Sequence, residues 1–176
     1  MVEHPRPETT DDAKACGHCF HTIRRMGKPV VALVRGRAYA GGAGLATACD
    51  IVLAHEEARF AYPEIQIGFV PAIAMTMLRR CVGEKEAFDL VASGRILKAE
   101  EARAMGLVSR VFAAREFEQL SQSVLKQLAD MPPSAMAATK TLFYKLENLD
   151  FLDSISAGSV AKADARAPPA LPQGAR

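Results

Sequence analysis

Two short apolar runs bracket a glycine-rich stretch, and this restricts the fold more than anything else in the chain. Pro29-Val30-Val31-Ala32-Leu33-Val34 is rich in β-branched residues and carries no polar alternation. Such a run suits a strand covered on both faces, with Pro29 at its first position where a ladder donor is dispensable. Ile51-Val52-Leu53-Ala54 repeats the pattern. Between them lie the glycine-rich turn Gly36 to Gly44 and the small, helix-compatible Leu45-Ala46-Thr47-Ala48-Cys49, with Asp50 breaking the pattern. The order strand, glycine turn, short helix, strand predicts an α/β fold whose two strands pair in parallel through a right-handed crossover.

The flanking segments are read from their stop signals. Asp11 and Asp12 suit a helix start, and the helix they open should run to about Met26 and end at Gly27. Arg59 to Tyr62 predicts a short extended piece closed by Pro63. Helices are expected over 72–81 and 84–92, separated by Val82-Gly83, and over 99–105, ended by Gly106. Leu107 to Phe112 alternates and predicts a half-exposed strand. From Arg115 on, Phe117, Leu120, Val124, Leu125 and Leu128 recur at helical spacing until Pro132-Pro133. Further helices are expected over 134–146 and 151–163. Residues 1–10 and 167–176, with their prolines, are expected to be a flexible and a disordered tail. The core then spans 11–112 and a C-terminal helical region 113–166.

Bulk properties narrow the function. A chain of 176 residues with 49% hydrophobic and 24% charged residues is ordinary for one globular domain. The net charge of +2 is scattered, which gives no footprint for nucleic acid. No apolar run approaches the ~20 residues of a membrane span, and Met1 to Asp12 has no apolar signal core. Four cysteines make no disulfide scaffold, so the cytoplasm or an organelle matrix is the expected compartment.

Several motifs invite chemistry that their context does not support. Cys16-Gly17-His18-Cys19 spells a reactive dithiol, yet no strand precedes it, so a helix that carries two cysteines is expected. Cys16, His18, Cys19 and His21 cannot all converge on one tetrahedral metal from a single helix, and no distant pair completes them; no metal site is expected. A phosphate loop needs Lys-Ser or Lys-Thr after its last glycine, but Gly42 is followed by Ala43. The dinucleotide fingerprint needs a glycine where Thr47 stands. What remains is Gly41-Gly42 leading into a helix, whose free N–H groups could hold an oxyanion or could simply form a tight turn. Lys140 and Lys145 read as solvated residues of one helix.

The segments from Lys28 to Gly36, Ala40 to Ile51 and Ala58 to Gly68, followed by Arg79 to Gly83 and Ala99 to Val108, resemble the enoyl-CoA hydratase/isomerase (crotonase) family in order and spacing. The likeness covers about residues 11–146. It implies a partial spiral of ββα units followed by C-terminal helices. It implies a substrate that is an enoyl-CoA thioester, with coenzyme A part of the substrate and no separate cofactor. By resemblance, Gly41 supplies one oxyanion N–H, and Gly41, Gly42, Gly44, Tyr62, Pro63 and Glu64 contact substrate. Glu64 matches the glutamate that exchanges a proton beside the thioester. The other donor and most nucleotide contacts match a segment upstream of this chain, which is expected to hold roughly the last two-thirds of a family-length protein. A second family glutamate falls on Gly44, which leaves isomerisation by a single carboxylate open as an alternative to hydration. A non-catalytic, truncated paralogue is the other alternative. A homo-oligomer, a trimer or a pair of trimers, is implied as well.

Overall fold

A computed structural model describes residues 10–164, with side chains from Lys14 onward. The expected tails at 1–10 and 167–176 lie outside the described residues, except Thr10, which opens the first helix.

Two strand–strand–helix units follow one another. Helix α1 (Thr10–Arg25) leads into β1 (Val31–Val34), β2 (Arg37–Tyr39) and α2 (Gly41–Ala48). The second unit is β3 (Ile51–His55), β4 (Arg59–Ala61), a 3-10 turn over Pro63–Ile67, and α3 (Ala72–Val82). Each unit gives its first strand to one sheet and its second to another, in the orders β1-β3-β6 and β2-β4-β5. The predicted parallel pair is present: Val31 faces Ile51 and Val34 faces Ala54. The connection holds α2, as a parallel crossover requires.

One expectation is corrected. Gly36 to Gly44 is not a single turn, because Arg37–Tyr39 inside it forms β2, paired in parallel with β4. Three residues with one buried apolar position are too short to show a period, and only the ladder with β4 selects them.

After α3 come α4 (Glu84–Ser93), β5 (Leu97–Lys98), α5 (Ala99–Ala104) and β6 (Arg110–Phe112). The strand expected from Leu107 therefore starts later. Leu107 and Val108 are buried in the core before it begins. Helices α6 (Phe117–Ala129), α7 (Pro133–Lys145) and α8 (Phe151–Asp164) follow, close to where the prolines and apolar spacing put them.

The main core joins Phe60, Tyr62, Leu78, Leu90 and Leu97 with the alanines of α2, Ala43 and Ala46. Small residues let α2 sit deep between the second sheet and α3. Full burial of each of the large apolar side chains contributes about 1.5–3 kcal/mol. A second cluster has Phe20 and Ile23 of α1 against Ala48, with Ile73 and Met77 of α3 beside them. Cys16 and Cys19 lie on α1, as expected. No group of three or more His, Cys, Asp or Glu among the described residues is arranged to hold a metal. No described helix is long and apolar enough to cross a membrane.

Lys140 departs from its expected place in solvent. It is 7% exposed and donates to the carbonyls of Ile23 (2.7 Å) and Lys28 (2.9 Å) and to Asp50 Oδ2 (2.7 Å). Its neighbour Lys145, at the end of α7, is exposed.

Candidate active site

The site grows from the register of β2 and β4. These parallel strands end together, with Tyr39 opposite Ala61. The Ala40 N–H donates to the Ala61 carbonyl at 2.9 Å and closes the pair. The chain then leaves both strands at the same edge, into Gly41-Gly42 on one side and Pro63-Glu64 on the other. Crevices at the carboxyl ends of parallel strands are where α/β folds place ligands.

Helix α2 begins without a side-chain cap, because Ala40 stands at its N-cap. A Ser, Thr, Asp or Asn there would occupy one of the free donors and stabilise the helix by about 1 kcal/mol. The Gly44 N–H reaches back to the Ala40 carbonyl at 2.9 Å. The N–H groups of Gly41, Gly42 and Ala43 therefore have no partner within the helix. Ala40 holds φ 49° and ψ −122°, the one non-glycine positive φ among the described residues. Such strain persists where surrounding structure enforces it. Gly41 and Gly42 are exposed, and a Cβ on either would meet nothing within 4 Å.

Glu64 sits in the turn that follows β4. Pro63 opens this turn and Gly68 (φ 81°) closes it, while the Phe69 N–H donates to the Glu64 carbonyl at 2.9 Å. The Glu64 side chain is half-buried, and its Oε2 is buried with no hydrogen-bond partner among the described residues. A buried carboxylate oxygen left unpaired is costly and calls for an explanation, a ligand among them.

The turn rests on the end of α4. Gln66 donates its side-chain amide to the carbonyls of Ser93 (3.3 Å) and Gly94 (3.4 Å). Gly94 has φ 61°, and a Cβ there would come within 2.8 Å of Gln66 Nε2 and 3.1 Å of Pro63 Cα. Gly94→Ala is therefore expected to cost about 1–3 kcal/mol and to push the Glu64 turn away from α2. A urea titration measures the first effect, and a crystal structure of the folded variant, in which the Gln66 amide no longer reaches the Ser93 and Gly94 carbonyls, shows the second.

Tyr62 and Gly44 lie one layer below this edge. Tyr62 is 1% exposed, and its hydroxyl is 2.5 Å from Thr47 Oγ1. Thr47 donates its own hydrogen to the Ala43 carbonyl at 2.7 Å, so Tyr62 is the donor to Thr47. Burial pushes the Tyr62 phenol up, with the Thr47 hydrogen bond opposing the shift. The pair ties β4 to α2 across the sheet–helix interface. Tyr62→Phe is expected to lower stability by about 1 kcal/mol, measured by thermal unfolding. Gly44 is buried against Phe20 and Ala74.

The structure thus brings Gly41, Gly42, Pro63 and Glu64 to one edge, with Tyr62 and Gly44 beneath it. Sequence reasoning missed Ala40, Gln66, Gly94 and Phe20. Ala40 alone carried a signal, a missing cap ahead of Gly41-Gly42.

Comparison with known proteins bears on the family and the fold. The enoyl-CoA hydratase/isomerase family model matches residues 3–154. A Thermus thermophilus protein that carries an enoyl-CoA hydratase name is 40% identical over 157 residues, covering 89% of this chain and 62% of that protein. The crystal structure of a Mycobacterium smegmatis enoyl-CoA hydratase superposes with TM-score 0.88 at 30% identity, covering 96% of this chain and 66% of the other. A Thermobifida fusca protein, also carrying an enoyl-CoA hydratase name, was solved in complex with acetoacetyl-CoA. It superposes with TM-score 0.79 at 29% identity, covering 83% of this chain and 58% of the other. The chain spans less than two thirds of the length of each of these relatives. With the strand-end glycine turn, the ββα succession and a family match over most of its length, the chain belongs to the enoyl-CoA hydratase/isomerase family and carries part of the crotonase fold.

Proposed function

We propose that this chain transfers a proton at the α-carbon of an enoyl-CoA thioester, with Glu64 as the proton carrier and the Gly41 N–H as a donor to the thioester oxygen. The observation that carries this reading is the buried, unpartnered Glu64 Oε2 at the same strand edge as an uncapped glycine helix start. Enolate chemistry needs that division of labour. Removing the α-proton puts negative charge on the carbonyl oxygen, and fixed N–H donors stabilise it where water is excluded. A base must reach the adjacent carbon at the same time, so both groups have to serve one small volume.

The acetoacetyl-CoA in the Thermobifida fusca relative supports a thioester ligand here. The family resemblance implies a second N–H donor from an upstream segment. Gly42 and Pro63 flank the substrate in this reading, while Gly44 and Tyr62 shape its floor. Coenzyme A enters as part of the substrate, and no metal or nicotinamide has a step to perform. Helix α8 buries none of its residues and leaves Phe151 78% exposed, which supports assembly into a homo-oligomer, a trimer or hexamer as the resemblance implies. Cytoplasm or an organelle matrix is the compartment that fits acyl-CoA chemistry.

The test is a screen of the purified protein with short and medium acyl-CoA and enoyl-CoA thioesters in D2O. Deuterium entering the α-carbon, read by mass spectrometry, is the expected result. No exchange with any thioester would sink the proposal.

A further inference from the structure

Two of the cysteines share a turn of α1 that the proton-transfer site does not use. Cys16 and Cys19 lie well inside this helix, three residues apart. Residues so spaced are neighbours on a helix surface, with Cα atoms about 5 Å apart. That falls within the roughly 4.4–6.8 Å that a disulfide spans. The two thiols differ in their surroundings. Cys19 is exposed. Cys16 is half-buried and packs against Phe20, Ile23 and Ala48, the small cluster that seats α1 on α2 and α3. Gly17 stands beside Cys16, and a Cβ there would meet only Ile73 Cδ1, at 3.9 Å.

We propose that Cys16 and Cys19 are a redox modification site, in which the exposed Cys19 reacts with a low-molecular-weight disulfide and Cys16 resolves the product to a reversible disulfide within α1. The Cys19 thiolate attacks one sulfur of the small disulfide and displaces its other half as a thiolate. The Cys16 thiol gives its proton to that leaving group, attacks the Cys19 sulfur and displaces the second half. Two protein thiols are oxidised, and one small disulfide is reduced to two thiols that carry the protons away.

Strain makes this bond a switch instead of a staple. Cβ atoms three residues apart on a helix stand about 5–6 Å from each other, whereas a disulfide needs about 3.8 Å. Closing the bond therefore tightens the turn, and Gly17 inside it gives the backbone freedom to do so. The pull acts on Cys16 and disturbs its packing on Phe20 and Ala48. Strained disulfides are the ones that a thiol pool reduces readily. Cys49 is the competing partner, since it lies close enough to Cys19 for their charges to interact. Its thiol donates to the Leu45 carbonyl at 3.3 Å, and burial, with the Asp50 charge added, pushes it up. Cys49 is thereby held protonated, which leaves Cys16 as the resolving thiol.

The test equilibrates the full purified chain with graded mixtures of reduced and oxidised glutathione. The mixtures are quenched with acid, remaining thiols are blocked with N-ethylmaleimide, and tryptic peptides are mapped by mass spectrometry. Cleavage after Lys14 and Arg24 puts Cys16 and Cys19 in one peptide and Cys49 in another. The expected result is a peptide over 15–24 that has lost two hydrogens, takes up no maleimide and is restored by reduced glutathione. The oxidised protein should unfold several degrees below the reduced one. In Cys16→Ala the reaction should stop at Cys19, with glutathione bound there at least about tenfold above wild type. Cys49→Ala should leave the wild-type pattern unchanged. The wild-type peptide map decides the proposal if Cys16→Ala does not fold. A wild type that stays reduced, or that holds glutathione on Cys19 without closing, would overturn the proposal. So would a link between Cys19 and Cys49, a closed bond that reduced glutathione does not open, or an oxidised protein that unfolds no earlier than the reduced one.

Discussion

Glu64→Gln is expected to abolish α-proton exchange and turnover while thioester binding stays within a fewfold of wild type. Glutamine keeps the size of the side chain and loses only the group that titrates. General acid–base catalysis by a positioned side chain contributes about 10²–10⁴ in rate, and here no second carboxylate shares the work in the proposed mechanism. A loss of at least about a thousandfold in kcat with little change in KM is the signature of a group used only in the transition state. The buried, unpartnered oxygen gives a second readout. In the free protein Glu64→Gln should not destabilise the fold, because it removes a costly desolvated carboxylate oxygen. Unchanged deuterium exchange in a folded Glu64→Gln protein would show that another residue carries the proton.

Lys140→Met is expected to be among the most destabilising single substitutions in α7, at about 3–5 kcal/mol. Asp50 is a junction of three elements. Its Oδ2 accepts the Val30 N–H at 2.6 Å and the Lys140 ammonium at 2.7 Å, and its Oδ1 accepts the Tyr144 hydroxyl at 2.5 Å. The two carbonyl acceptors on Ile23 and Lys28 take the remaining ammonium hydrogens. Every donor on Lys140 is thus satisfied in a site that is largely shielded from solvent. Burial pushes the Tyr144 phenol up, and the Asp50 hydrogen bond and charge push it further. Arg24 covers the outside, stacked 4.0 Å over the Tyr144 ring and bonded to Glu147 at 2.7 Å.

Removing the ammonium leaves Asp50 mostly shielded from solvent and short of its counter-charge, which costs more than the intact pair contributes. The paired substitution Asp50→Asn/Lys140→Met should therefore lose less than the sum of the two single changes, by at least about 1 kcal/mol. Added salt should rescue nothing, since the pair is screened from solvent. Urea denaturation of the two single variants and the pair gives the cycle. A cost below about 1 kcal/mol for Lys140→Met, or strict additivity, would show that α7 is held by its apolar contacts instead.

The sequence and the structure differ at places with a common physical cause. Val31–Val34 and Ile51–His55 announce themselves as strands because each is an unbroken apolar run, and the helix between them follows from the small residues after Gly41-Gly42. Helices α3, α4 and α5 end at Gly83, Gly94 and near Gly106, where a left-handed or otherwise unusual backbone suits glycine. These are signals of period and punctuation, written within a few residues. Strand β2 escaped because its evidence is its pairing with Arg59–Ala61, which lies outside any local window.

The candidate site divides in the same way. Glycines before a helix and a carboxylate after Pro63 are visible along the chain, and a resemblance over several ordered motifs gave them roles. Their convergence on one edge depends on the register of β2 against β4, which only the folded sheet settles. Lys140 looked like a surface lysine because its residue type is usually solvated and its helix shows no acidic partner nearby. Its partner Asp50 lies 90 residues away in sequence. The space beside Gly44 is likewise filled by Phe20, which comes from another helix. Local composition by itself determined the two long apolar strands, most of the helices and their glycine or proline stops, and that a glycine helix start and a carboxylate were available. Tertiary structure alone decided which groups meet, which charge is buried and which space is filled, because those outcomes depend on packing between segments far apart in the chain.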